Sequence, residues 1–438
     1  MLLKILLMFT ITSAIYAKQG IDIGNEWIVS GDMRAASVMY DYQNPDDDSL
    51  INRGKKDSEG YYFVPKLSLK TPKFYNITLK VTGAAVTDFG INDPEKEYHN
   101  YGFGESGKSY AILQELFLEY YSENHHILVG RNEIYTPLIE HDDYYILANS
   151  FEVALYEYRP VKELILSAGY FFKMAGNWDA GDNGEEFVSM SKGSYVSSDA
   201  KDAAGDTGIG FASLNYKNDN HHFQIWDYYA KYLYNSIFTQ YEYTLNTPSS
   251  KYKFGIQYLR FDGISRLKDV NNEKLANGDV KNGENIENIS NSTYAIKVKG
   301  TYNNGLGFNI GVGGFSDSYG FKETLGSWGG YPFYMGCSFE AGNLRNSIAY
   351  KYEGIYNFKN LGKNKLRFKA RYLHFALDSK YSKTARGKGV PQDYMDQYRV
   401  VLDYKYADSW YFNGDLRIYQ VDNEPDITSV RLIGGYKF

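Results

Sequence analysis

The chain has 438 residues and carries 47 Lys and Arg against 53 Asp and Glu, a formal charge of -6 at pH 7. That mild acidity argues against nucleic-acid binding, which wants a basic patch, and a single cysteine, Cys337, excludes an intramolecular disulfide or a cysteine-based zinc site. Aromatic content is 17%, with 44 Tyr, 25 Phe and 42 Gly against only 10 Pro, the profile of a Tyr-rich strand former with many turns.

Residues 1-17 read as a secretory signal peptide. Lys4 precedes an apolar run from Ile5 to Ile15, and Tyr16-Ala17-Lys18 offers a small residue for cleavage after Ala17. The run is shorter than the ~20 residues a spanning helix needs. No later stretch resembles a membrane helix, and mean hydropathy is -0.48. A β-barrel would show the same value, because its strands alternate lipid-facing with lumen-facing residues and average out as polar.

From residue 28 onward the chain repeats one pattern, an alternating polar and apolar run followed by a break. The runs predict strands at 28-41, 61-71, 74-88, 111-122, 125-134, 151-160, 164-175, 207-217 and 221-233. They continue at 236-246, 251-262, 292-303, 306-316, 343-357, 365-377, 395-406, 410-421 and 427-438. The count is about eighteen, with 16 as the neighbouring even number. Connections alternate in length. Thr71-Pro72-Lys73, Asn303-Asn304-Gly305 and Ala407-Asp408-Ser409 are short, whereas 42-60, 89-110, 176-206, 263-291 and 317-342 are long and polar. Short periplasmic turns and long extracellular loops are what an outer-membrane barrel has, and a soluble sandwich has no reason to sort its loops so. The link near Tyr234-Asn235 should be long by this rule and is short. The predicted fold class is therefore all-β, a transmembrane antiparallel barrel over 18-438.

The two-residue period assigns the charges. Arg367, Lys369 and Arg371 oppose Leu366, Phe368, Ala370 and Tyr372; Arg399, Asp403 and Lys405 oppose Val400, Leu402 and Tyr404. Asp415 and Arg417 oppose Leu416 and Ile418, and Arg345, Lys351 and Glu353 oppose Ile348, Tyr350 and Tyr352. A Lys or Arg facing lipid near the midplane costs ~2-4 kcal/mol, so these must face a wet lumen. Late strands bring mostly bases inward, Lys297, Lys299 and Arg431 among them. Earlier strands bring Glu115, Glu119, Glu152 and Glu242, an acidic wall. Opposed walls would either set a transverse field for dipolar solutes or simply neutralise one another. Arg131 shares a face with Ile127 and Val129 and is left without an assignment.

The stretch Gly130-Arg131-Asn132-Glu133, Thr136-Pro137-Leu138-Ile139-Glu140-His141-Asp142-Asp143 and Ser150-Phe151-Glu152 resembles the OprD-like family of outer-membrane porins. Gly329-Gly330-Tyr331-Pro332, Ala370-Arg371-Tyr372 and the terminal Phe438 also look like family features. The resemblance implies an eighteen-stranded monomeric barrel, although many general porins are trimers. It also implies that the loop at 133-150 folds inward, putting Glu140, His141, Asp142 and Asp143 at the constriction. Arg345, Arg367, Lys369, Arg371, Arg399, Arg417 and Arg431 would form a basic ladder facing them. Tyr145, Ala148 and Val153 depart from the family pattern, which bears on substrate preference.

The expected function is passive diffusion of small hydrophilic solutes across a Gram-negative outer membrane, with amino acids, small organic acids and ions as candidates. An adhesin or structural barrel is the alternative, and a barrel-embedded enzyme a weaker one. Of the seven histidines, His125-His126 and His221-His222 fall at tight turns, His99 in a long loop and His374 outward, so only His141 has a plausible catalytic position. The expected partners are outer-membrane lipid, the solutes and the barrel-assembly machinery, recognised through Phe438. No cofactor and no metal are expected; the acidic run from Asp179 to Glu186 reads as a solvated loop.

Overall fold

A computed structural model describes residues 21-22, 26-43, 57-92, 109-142, 146-176, 183-193, 204-264, 290-318, 328-336, 344-359, 361-362, 364-383, 390-407 and 409-438. The signal-peptide segment 1-17, Cys337 and Asp143 lie outside these residues. Eighteen strands form one antiparallel barrel. They are β1 (Ile28–Tyr42), β2 (Ser58–Lys70), β3 (Ile77–Val86), β4 (Tyr110–Tyr121), β5 (His125–Asn132) and β6 (Ser150–Val161). Next come β7 (Leu164–Gly176), β8 (Ile209–Lys217), β9 (His221–Ala230), β10 (Tyr234–Asn246), β11 (Ser250–Gly263) and β12 (Ser290–Tyr302). The last are β13 (Leu306–Phe315), β14 (Ile348–Phe358), β15 (Lys365–Ala376), β16 (Tyr394–Tyr406), β17 (Trp410–Val421) and β18 (Ile427–Lys437). Each strand pairs with its sequence neighbours, and β1 pairs with β18 from Asp32↔Lys437 to Tyr42↔Ile427, which closes the sheet. Beyond the last strand, Phe438 and Gly31 exchange both backbone hydrogen bonds at 3.0 and 3.1 Å.

Burial is inverted relative to a water-soluble protein. Leu67, Ile256 and Tyr294 are 58%, 57% and 56% exposed, while Asp415 and Glu115 are 2% and 4% exposed. Apolar residues outside and charges inside suit a barrel whose outer solvent is hydrocarbon and whose interior holds polar groups. Tyr156, Tyr216, Tyr241, Tyr243, Tyr356 and Tyr406 are among the outward aromatics near the short-turn end, where amphipathic rings suit a membrane interface.

All eighteen expected strands are present, and the departures are local. Before β14 the chain turns at Leu344–Ser347, where the Ser347 N–H donates to the Leu344 carbonyl at 3.2 Å and Asn346 has φ 55°. The strand therefore starts at Ile348 and not at 343, which leaves Arg345 outside it. The β9–β10 hairpin turns at residues 231-233, with Tyr232 at φ 66°, three residues earlier than the sequence suggests. Within the expected loop 176-206, Asn183–Ser189 forms a short strand against the end of β7. β5 is shorter than expected, and Gly130 in it has φ 130°. No regular strand residue adopts that angle, so alternation breaks there and Arg131 escapes the two-residue rule.

Placing a charge on the lipid face should be costly. Ile256→Lys, in the middle of β11, is expected to destabilise the bilayer-folded barrel by ~2-4 kcal/mol in denaturant titrations in lipid vesicles. Thr301→Lys on β12, on the inward face with Lys297 and Lys299, should cost far less.

Candidate pore constriction and charged lumen

The connection from β5 to β6 turns into the barrel. Tyr135 bridges Glu140, and the Thr136 hydroxyl accepts from the Ile139 N–H at 3.1 Å, which makes a tight reversal around Pro137 and Leu138. The returning arm is fastened to the wall. Arg34 of β1 donates to the Ile146 carbonyl at 3.0 Å, and Gln114 of β4 donates to the Ala148 carbonyl at 2.9 Å. Leu138, Ile139, Ile146 and Leu147 are buried. Apolar residues thus fix the loop, leaving its polar residues for the lumen.

A second infolding meets it. Residues 328-336 carry the Gly329-Gly330-Tyr331-Pro332 motif, and Gly329 bridges Ile139. The Glu140 N–H donates to the Trp328 carbonyl at 3.0 Å, and the buried Trp328 indole donates to the Met190 carbonyl at 2.8 Å. Gly329 has φ 82°, and a Cβ on Gly330 would collide with the backbone of Leu138, so glycine allows the two loops to touch. At the far wall the Tyr334 N–H donates to Gln257 Oε1 at 3.0 Å and the Tyr334 hydroxyl donates to Glu242 at 3.0 Å. A continuous brace therefore crosses the lumen from β1 and β4 to β10 and β11.

Of the expected constriction residues, Glu140, His141 and Asp142 lie on this brace. His141 donates its backbone N–H to the Ile134 carbonyl at 2.9 Å, and its ring stands edge-on to Tyr135 at 5.9 Å. Asp142 accepts from the Asn149 N–H through its carbonyl at 3.1 Å. Sequence reasoning passed over Glu133, which forms an ion pair with Lys66 of β2 at the root of the loop. Burial pushes the Glu133 carboxyl up, but the Lys66 ammonium and its hydrogen bond outweigh this and hold it below the usual range.

Strand register lines up the ladder. Residues opposite one another on neighbouring strands share a face and stand ~5 Å apart, and Glu353↔Arg371, Arg371↔Arg399 and Arg399↔Arg417 form one row across β14 to β17. Arg371 donates twice to Glu353, at 2.8 and 2.6 Å. Asp415 takes Arg399 at 2.8 and 2.7 Å and Arg417 at 3.1 and 2.7 Å. Asp403 takes Arg367 at 2.7 Å and Lys369 at 3.4 Å. Arg431 stands opposite Asp415 on β18. Arg345 is apart from the row, paired with Asp317 at 2.7 Å and lying over the Tyr381 ring in the long-loop region.

The four carboxylates expected as an acidic wall all have basic partners. Glu115 meets Lys80 at 2.7 Å, Glu119 meets His126 at 2.9 Å, and Glu152 meets Arg131 at 2.9 Å. Glu242 pairs with Lys297 and, at 3.5 Å, with Lys253. The Thr82/Gly83 register shift explains why Gln114 and Glu115, adjacent in sequence, are both buried. Arg131, unassigned from the sequence, also lies over the Phe187 ring at 4.2 Å. Pairing on both sides weakens any field between opposed walls. On β14 to β18, however, Lys351, Arg367, Lys369, Arg371, Arg399, Arg417 and Arg431 outnumber Glu353, Asp403 and Asp415. His374 faces outward as expected, its Nδ1 2.8 Å from Asp396.

No protein-family model and no curated protein matches the chain. Solved structures do. Pseudomonas aeruginosa OccK9 (OpdG) superposes with a TM-score of 0.74 at 13% identity, over 94% of this chain and 98% of that one. Acinetobacter baumannii OccAB4 gives 0.70 at 15% identity over the same shares. P. aeruginosa OpdK, solved with vanillate, gives 0.69 at 12% identity, again over 94% and 98%. The fold is that of the OprD-type porins. Coverage of 94% of this chain and 98% of each of the others carries the likeness seen at 130-152 across the barrel, as a likeness of fold.

Two measurements check this geometry. Gly330→Val should separate the loops and lower hydrogen-exchange protection of the Glu140 amide, whereas Gly83→Val, where a Cβ meets nothing within 4 Å, should not. Because the Glu133 carboxyl is held low, its pairing contributes stability above its unfolded pKa, and that contribution disappears as pH falls through the folded value. Wild type should therefore exceed Glu133→Gln in unfolding midpoint at neutral pH, and the two should converge in acid.

Proposed function

We propose that the protein is an outer-membrane diffusion channel for small hydrophilic solutes and that its passage favours anions, small carboxylates in particular. The observation that carries this reading is the unbroken row Arg371, Arg399 and Arg417 on the lumen face, in a wall where bases outnumber acids. Guanidinium groups held in place by carboxylates keep a fixed orientation and can still offer their remaining N–H donors to a passing carboxylate. Rings or rows of Arg and Lys are how anion pores select. The brace anchored on β10 and β11 occupies that side of the lumen and directs the passage towards the arginines. Glu140, Asp142 and Asp143 would face this row and admit amino acids alongside simple acids. The vanillate bound to OpdK is itself a carboxylate, which agrees with this preference. Signal-peptide removal after Ala17, recognition of Phe438 by the assembly machinery and a monomeric state complete the reading.

Refolded protein in a planar bilayer should give stable conductance steps and, under a salt gradient, a reversal potential of the sign for anion preference. Arg399→Gln should leave the steps and shift that potential towards cations. Steps with a cation-selective potential would reject the anion preference, and a folded barrel without steps would reject the channel.

A further inference from the structure

Next to the arginine row lies a second row, Glu242, Gly255, Lys297, Gly311, Lys351 and Leu373, again in register from β10 to β15. Two of its members are glycines because Tyr334 fills their places. Its ring lies where a side chain on Gly255 would be, and its carbonyl where one on Gly311 would be. On the other flank, Gly336 rests against Leu373. The 334-336 turn thus touches the wall on both sides of Lys351.

Lys351 is 6% exposed, yet it makes no hydrogen bond and no ion pair among the described residues. The carboxylates that could serve it are engaged. Glu353 receives both donors of Arg371, and Glu242 receives Lys297, Lys253 and the Tyr334 hydroxyl. The remaining neighbours in register are bases: Lys297 two strands away, with Lys299 and Arg371 in the adjoining row. Lys297 is covered by the Tyr334 ring at 3.9 Å. A buried ammonium among other cations, lacking its own carboxylate, is costly unless a counter-charge arrives from solution.

We propose that Lys351 and the 334-336 turn form an anion site that takes a small carboxylate or an inorganic oxyanion. The site deepens the diffusion-channel reading and rests on a water-filled lumen. It differs from the arginine row in one respect: every base of that row from Arg371 to Arg417 already has a carboxylate, whereas Lys351 has its donors available.

The test uses the refolded full-length chain with acetate, sulfate or chloride at matched ionic strength. In detergent, acetate or sulfate should raise the unfolding temperature above that in chloride, because a ligand that binds only the folded state stabilises it. The larger shift identifies a carboxylate or an oxyanion site. Lys351→Met keeps the apolar stem and should abolish the shift, while Lys351→Arg should retain it. In bilayers the same anion should reduce single-channel current in a saturable way, with the half-blocking concentration raised at least tenfold in Lys351→Met and within threefold of wild type in Lys351→Arg. Lys351→Gln serves if the Met variant does not fold. Conductance steps with an anion effect independent of residue 351, or no anion effect with either probe, would overturn the site. A melting shift that needs Lys351, in a barrel giving no steps, would support the site and overturn the diffusion reading.

Discussion

Everything in this molecule depends on the pairing of β1 with β18. In hydrocarbon an unpaired backbone N–H or carbonyl costs several kcal/mol, with no water to take its place. An eighteen-stranded sheet left open would expose two such edges along their length. The register from Asp32↔Lys437 to Tyr42↔Ile427 removes them, and the exchange between Gly31 and Phe438 carries the pairing to the last residue. Once the sheet is closed, its two faces meet different solvents, and the alternation of each strand becomes the division between lipid and lumen.

The lumen then has to accommodate its charges. Burying ions is expensive unless they are paired and hydrogen-bonded, and the wall does this rung by rung. Asp415 holds two arginines, Glu353 holds one, and Glu242 gathers Lys297, Lys253 and a tyrosine hydroxyl. These pairs fix where the guanidinium groups point. The surplus of bases on β14 to β18 gives the wall its sign.

Much of this is legible in the sequence, because a strand buried on one face and bathed in lipid on the other must alternate. Arg367, Lys369 and Arg371 could be assigned from parity alone. Parity fails where the backbone leaves the β region: at Gly130, with φ 130°, it loses Arg131, and at Asn346 it loses Arg345 to a turn. Pairing is less legible still. The acidic wall looked like a surface of one sign because each carboxylate's cation comes from a different strand, such as Lys80 for Glu115, and only register brings them together. The second infolded loop gave just one hint, the pair Gly329-Gly330. That two glycines mark a close approach is readable, but their partner, Leu138, lies far away in the chain.

The bridge between Ile139 and Gly329 has a consequence for assembly. Contacts between residues so distant in sequence form only after the intervening chain has been ordered, since the entropy of closing that segment must first be met. Strands β6 to β13 lie between the two halves of the brace, and its anchors on β1 and β11 belong to opposite walls. The brace across the lumen is thus expected to be set late. On that order of events the wall can close first, and the two loops then dock across a lumen that already exists.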